Sequence, residues 1–296
     1  MSDPNAENSE VCAPFDPEPA LPAHRPPPGA CDCHAHIVER RKEFPFAGNR
    51  SYTPSPASLT AYQHMLGRLG LHRAVIVQPS FYGTDNRVTM QAISKAGSDF
   101  RAVVVTDENI SDRDLLQLNS SGARGARINL LFKGGSGIKD LPRYAARLGE
   151  IGWHIQFLVD VSHNNDSLWQ TLKHLPCDLV FDHMGHVPVH KGTGNAGFQK
   201  LLRFLDTGKV WVKLSGAYRI TAEPKPPYHD TAPFARLLIE NCPDRMLWGT
   251  DWPHPQIPVP MPNDGALLDL LWRWVQDDLT YAKILKDNPA QLYGFG

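Results

Sequence analysis

The stretch "CDCHAHI" at residues 31–37 is a short apolar run that ends in a His-Ala-His pair and is followed by no glycine-rich turn. A strand of this kind at the head of an α/β chain leaves two architectures. An open doubly wound sheet would carry phosphate-binding glycines directly after its first strand, and none occurs after Ile37. A closed barrel of parallel strands instead puts its chemistry at the C-terminal strand ends, where these two histidines stand.

Seven more runs of similar length follow: "RAVIVQ" (73–78), "RAVVV" (101–105), "GARINLL" (125–131), "HIQFLV" (154–159), "DLVFD" (178–182), "VWVKLS" (210–215) and "RMLWG" (245–249). They are too short and too β-branched for buried helices. Between them lie segments with helical spacing, such as "SLTAYQHMLGRLG", "VTMQAISKA", "LPRYAARLGEIG", "SLWQTLKHL", "GFQKLLRFL", "APFARLLIENC" and "ALLDLLWRWVQ". Eight strand-like runs alternating with helices predict an α/β fold of the (β/α)8 TIM-barrel type. Residues 29–296 are read as this single domain. Residues 1–28 are rich in Pro and acidic residues with few large apolar ones, and are expected to form a loose tail laid over the barrel's surface.

Thirty basic residues stand against thirty-one acidic ones, a net charge of -1, so nothing here suits nucleic acid or an anionic membrane. The expected partner is a small molecule. Five cysteines, odd in number and scattered, make a poor disulfide framework and point to a reducing, cytoplasmic setting. Neither a secretory leader nor an apolar stretch of bilayer length is expected. The cluster "LWRWVQ" at residues 271–276 has helical spacing and reads as core or as a contact in a homo-oligomer.

Polar residues are not scattered at random over the strand ends. His34 and His36 end the first strand, Arg127 and Asn129 lie on the fourth, His183 follows the sixth, Ser215 and Arg219 follow the seventh, and Asp251 follows the eighth. Strict alternation would put Asp32, His34 and His36 on the barrel's inner face and turn Cys31 and Cys33 towards the helices as core residues. Two histidines on one face, with "FDHMG" and "WGTDWPHP" at other strand ends, favour a site over core filling. Imidazoles at i and i+2 can hold a divalent cation with a third His and a carboxylate. Arg124 should point away from the interior if Arg127 points in. "KGGSG" after Phe132 lacks P-loop spacing and reads as an active-site loop. "YHDTAPF" reads as a helix start capped by Asp230 or Thr231, and "WPHPQIPVPMP" as a stiff loop over the barrel mouth.

With these residues in view, the chain resembles the amidohydrolase superfamily, and within it the 2-pyrone-4,6-dicarboxylate lactonases. The resemblance runs through "PPPGACDCHAHI", "FPFAGNRSYTP", "VIVQPSFYGTDN", "ARGARINLLFK", "FDHMGHV", "WGTDWPHPQ" with the later "NDG", and "DNPAQLYGF". It implies hydrolysis of the ester bond of a small carboxylated lactone in aromatic-compound catabolism. Asp251 would be the general base, with His34, His36 and His183 around the reacting carbonyl. Tyr52, Ser80, Arg127, Lys133, Arg219 and His254 would bind substrate, with Gln156 and Gln256 as further polar contacts. A guanidinium matches a carboxylate bidentately, and a carboxylate among imidazoles can take a proton from water. The resemblance also implies that no metal is required; the alternative is one Zn2+ on His34, His36, His183 and Asp251.

Three positions depart from the family pattern. Leu158 stands where it has a binding Tyr, and Lys133 and His186 stand where it has arginines. Other lactones therefore stay open as substrates: a muconolactone, a sulfomuconolactone or a sugar acid lactone. A Zn-dependent decarboxylase of the same superfamily and a non-catalytic binding barrel are further alternatives.

Overall fold

All eight runs form strands in the computed structural model, which describes residues 11–48, 50–131 and 138–296. In chain order the strands are β1 (Cys31–Ala35), β2 (Arg73–Val77), β3 (Phe100–Val104), β4 (Ala123–Asn129), β5 (His154–Leu158), β6 (Leu179–Phe181), β7 (Val210–Leu214) and β8 (Met246–Trp248). Each pairs in parallel with its neighbour in sequence, from β1 to β8. The helices between them are α1 (Leu59–Leu69), α2 (Arg87–Ala96), α3 (Asp112–Ser120), α4 (Leu141–Glu150), α5 (Asp166–Lys173), α6 (Ala196–Leu205), α7 (Ala217–Ile220) and α8 (Ala232–Asn241). After β8 come α9 (Asp264–Val275), α10 (Asp278–Ala282) and α11 (Asn288–Tyr293). This is the predicted (β/α)8 barrel.

Helix starts follow local chemistry. Ser58, Ser111, Asp140, Asn165 and Asn195 accept first-turn N–H groups at the heads of α1, α3, α4, α5 and α6. At α8, however, neither expected cap side chain caps: Asp230 accepts from Thr221 Oγ1 and Ala222 N, and the Thr231 hydroxyl donates to Tyr228 O. Helix α3 carries a single buried residue, Leu115, which is why its apolar periodicity is faint in the sequence.

Two apolar layers result. Outward-facing strand residues such as Ala74, Ile76, Ala102 and Val104 pack against the helices. The barrel interior holds Cys31, Cys33, Val75, Val77, Val103, Val180, Trp211 and Leu247, with Tyr293 and Phe295 packed among them. The placement of Cys31 and Cys33 corrects the alternation argument. Pairing between β1 and β2 slips between Asp32 and Ala35. This irregularity shifts the phase, so Cys33 faces inward as His34 and His36 do, while Asp32 turns towards α1 and β8.

The barrel closes between β8 and β1 through that turned carboxylate. Asp32 Oδ1 accepts from Thr250 N at 2.9 Å and His34 N at 3.0 Å, and Oδ2 accepts from Thr250 Oγ1 at 2.6 Å and Tyr62 OH at 3.0 Å. Burial pushes Asp32 up to about 6, against the pull of these donors. Above it, Asp251 N donates to His34 O and His36 N to Trp252 O. Gly249 permits this approach, since a Cβ there would lie 2.7 Å from His34 Cβ. Residues of the N-terminal stretch are tied down as well: Phe15 packs on Trp252, Ala20 N donates to Asn263 Oδ1, and His24 stacks on Trp272. Among the described residues no helix is long and apolar enough to cross a membrane.

The seam gives a direct test. Thr250→Val keeps shape but removes one donor from a buried carboxylate, and should cost about 2 kcal/mol of stability. Denaturant unfolding would measure it; a loss below about 0.5 kcal/mol, within ordinary surface variation, would mean that the hydroxyl does not hold the seam.

Candidate active site

A narrow pocket opens at the C-terminal strand ends, lined by His36, Tyr52, Ser80, Arg127, Leu158, His183, His186, Arg219, Asp251 and Pro255. Seven of the predicted site residues thus meet around one pocket: His36, Tyr52, Ser80, Arg127, His183, Arg219 and Asp251. His34 lies at the floor, with Nε2 3.6 Å from Asp251 Oδ1. His254 and Gln256 instead line an adjoining hollow with Cys12, Ile257 and Val259, sharing Tyr52 as the partition. Lys133 and the rest of the "KGGSG" loop lie outside the described residues. Arg124 points away, donating to Asn119 O and Ala123 O. A larger open groove between α2 and α3 holds none of these groups.

The two oxygens of Asp251 are differently employed. Oδ2 accepts from Arg219 Nε at 2.6 Å and Tyr218 OH at 2.8 Å. Tyr218 continues to His254 Nδ1 at 2.9 Å, and His254 Nε2 to Asp264 Oδ1 at 3.1 Å. Oδ1 faces the two strand histidines, 3.6 Å from His34 Nε2 and 3.4 Å from His36 Nε2. Burial alone would raise the Asp251 carboxyl; Arg219 and the nearby histidines outweigh it and hold the group well below the usual range. Arg219 responds in kind, as Asp251 more than reverses the lowering that burial causes.

Burial keeps the histidines neutral. It pushes His34 down to about 3, with Lys213 adding to the effect, and His186 to about 4; His36 and His183 are lowered too. His36 Nδ1 donates to Val77 O at 2.7 Å, which leaves its Nε2 as a bare lone pair towards the pocket. His183 Nδ1 meets Ser215 Oγ at 2.9 Å. Several site residues have left-handed backbone, a costly conformation outside glycine: Asp251 (φ 65), His183 (φ 52), His186 (φ 59), His254 (φ 58) and Gln256 (φ 51). Gly216, at φ 62, lets the β7 end pass His183, since a Cβ would come 2.8 Å from Nδ1.

Beneath the pocket lies a buried polar network that sequence reasoning did not name. Asp182, on the turn after β6, accepts at Oδ2 from Arg127 Nη2 at 3.3 Å and Gln156 Nε2 at 3.1 Å. Lys213 Nζ donates to Gln156 Oε1 at 2.7 Å and lies 3.2 Å from His34 Nδ1 and 3.6 Å from Asp182 Oδ1. Gln156, expected to touch substrate, is therefore held below the wall by these two partners. The sequence signal was present: Lys213 and Gln156 are charged or polar residues inside apolar strand runs.

Two groups of side chains have donor atoms close enough to hold a metal: His34, His36 and Asp251, and His34, Asp182 and His183. A tetrahedral Zn2+ with ligands at about 2.0–2.1 Å sets them about 3.4 Å apart, close to the separations around Asp251 Oδ1. His34 Nε2 is buried without a hydrogen-bond partner among the described residues. The first group, with His183 near, fits a single divalent cation.

The amidohydrolase family model matches residues 31–295. A 2-pyrone-4,6-dicarboxylate hydrolase of Comamonas testosteroni is 36% identical, covering 93% of each chain. A 4-sulfomuconolactone hydrolase of Rhizobium radiobacter is 36% identical over 90% of this chain and 91% of that one. The crystal structure of Agrobacterium tumefaciens ATU3138 superposes with a TM-score of 0.84 at 27% identity, covering 93% of this chain and 99% of the other. A chain that aligns with this family from the first strand of its barrel to residue 295 belongs to it: this protein is a member of the amidohydrolase family.

Proposed function

We propose that this amidohydrolase hydrolyses the ester bond of a small carboxylated lactone of the 2-pyrone-4,6-dicarboxylate kind, in aromatic-compound catabolism, without an obligatory metal. The observation that carries the reading is the divided Asp251 carboxylate, with one oxygen anchored by Arg219 and Tyr218 and the other facing the pocket between two histidines. The names of the relatives, a pyrone dicarboxylate hydrolase and a sulfomuconolactone hydrolase, support an anionic lactone. So does the wall itself. Two guanidiniums, Arg127 and Arg219, line the pocket, and the histidines there are neutral.

In this reading a water held at Asp251 Oδ1 gives its proton to that oxygen as its own oxygen attacks the lactone carbonyl. Arg127 stabilises the resulting oxyanion. Collapse of the tetrahedral intermediate breaks the ring C–O bond, leaving the new carboxyl on one side; the ring oxygen departs and takes the proton back from Asp251. Arg219 pairs with a substrate carboxylate, which loosens its hold on Asp251 and raises that group's basicity. Tyr52, Ser80, His254, Gln256 and Lys133 complete the set proposed to contact substrate. A divalent cation bound by His34, His36, His183 and Asp251 would supply Lewis acidity and a more acidic water. Five cysteines, none in a disulfide, suit action in the cytoplasm.

Hydrolysis of 2-pyrone-4,6-dicarboxylate, followed by ultraviolet absorbance with and without chelator, tests the reading. Turnover indifferent to chelation is expected, and dependence on added metal would transfer the water-activating role to the cation. Asp251→Asn should lower kcat roughly a thousandfold while circular dichroism stays native; full activity in a folded variant would exclude Asp251 as base.

The pH profile offers a second check. Because Asp251 is held well below its ordinary range, wild-type kcat/KM should show no acid limb from this group between pH 5 and 8. Arg219→Gln removes the principal lowering influence and leaves burial, which raises the carboxyl, so an acid limb should move up into the measurable range. Identical profiles would mean that Arg219 does not control the base.

A further inference from the structure

A buried lysine takes no direct part in the reaction proposed above, yet it touches the site at one decisive atom. Lys213 is wholly buried, on β7, and its ammonium has three protons and no lone pair. Three acceptors surround it: Gln156 Oε1 at 2.7 Å, His34 Nδ1 at 3.2 Å and Asp182 Oδ1 at 3.6 Å. The orientation of Gln156 agrees, since its amide nitrogen donates to Asp182 Oδ2. His34 Nδ1 can take part only as an acceptor, because a proton there would confront the ammonium donor. A neutral imidazole carries one ring proton, so the proton of His34 sits on Nε2. Asp182 Oδ1 lies as close to Nδ1, at 3.2 Å, and is the acceptor that a proton on Nδ1 would use.

We infer that Lys213 is a positioning residue: by donating to His34 Nδ1 it keeps the ring proton on Nε2 and thereby orients the attacking water. The neighbours complete the pattern. His36 donates from Nδ1 to Val77 O, so its Nε2 is an acceptor. Asp251 Oδ1 is an acceptor as well. A water among the three atoms donates one proton to Asp251 Oδ1 and one to His36 Nε2, and accepts from His34 Nε2–H. Its one remaining lone pair is left for the carbonyl. That proton would have to leave Nε2 before His34 could hold a metal there, which sets a cost on cation binding. This inference rests on the hydrolytic reading for the role of the water, but the tautomer itself can be measured without any substrate.

Two-dimensional NMR of the full-length protein labelled with 15N-histidine, with His34 assigned by comparison with His34→Asn, reports which ring nitrogen is protonated. A pyridine-like Nδ1 and a protonated Nε2 are expected. A proton on Nδ1, or on both nitrogens, overturns the inference. In Lys213→Met the proton should move to Nδ1, where Asp182 remains as acceptor, and Zn2+ measured by calorimetry should bind at least tenfold more tightly than to wild type. An unchanged tautomer or unchanged Zn2+ affinity in a folded Lys213→Met overturns the assignment to Lys213; should that variant not fold, the wild-type spectrum decides. If wild type shows the expected tautomer but opens no lactone, the hydrolytic reading fails and the role in orienting water falls with it.

Discussion

One carboxylate, Asp32, holds the barrel shut. It accepts four hydrogen bonds where β8 meets β1, and the proposed base and its two strand histidines straddle that seam. His34 and His36 come from one side and Asp251 from the other, so their mutual distances are set by how tightly the seam is drawn. A buried ion is costly unless hydrogen bonds satisfy it, and here all four donors are directed at it. The irregular pairing of β1 belongs to the same arrangement. It turns Asp32 outward to the seam while leaving His34 and His36 facing in.

The second layer of organisation is electrostatic. Asp251 and Asp182 each face guanidinium or ammonium groups, so both stay ionised in a wholly buried setting, while desolvation keeps the imidazoles neutral. Acceptors and donors are thereby distributed without net proton uptake near neutrality. The left-handed backbone at His183, His186 and Asp251 shows the local cost of aiming these groups, offset by the packed strands that carry them.

Much of this was legible in the sequence. The eight β-branched runs and their spacing identify the barrel, because strand and helix periodicities differ, and strand-end positions single out His34, His36, His183 and Asp251. Chain pattern failed where geometry is set by tertiary contact. Strict alternation misplaces Cys31, Cys33 and Asp32, since a shift in strand register leaves no mark in residue type. Gln156 reads as a substrate ligand, but its position two residues below Leu158 puts it under the pocket floor. Asp182 and Lys213 were visible as polar residues in apolar strands, yet their pairing, 31 positions apart, is a property of the closed barrel. The α3 helix was missed because it buries only Leu115.

The barrel interior also joins distant parts of the chain in time as well as in space. Cys31 and Cys33 of the first strand share their apolar cluster with Tyr293 and Phe295. During synthesis, an emerging chain that has already made all eight strands still lacks the aromatic rings that fill the barrel's inner end. Strand-by-strand consolidation on the ribosome therefore stops short of a finished core, and the early strands must stay soluble with their inner faces incompletely covered until translation passes residue 295.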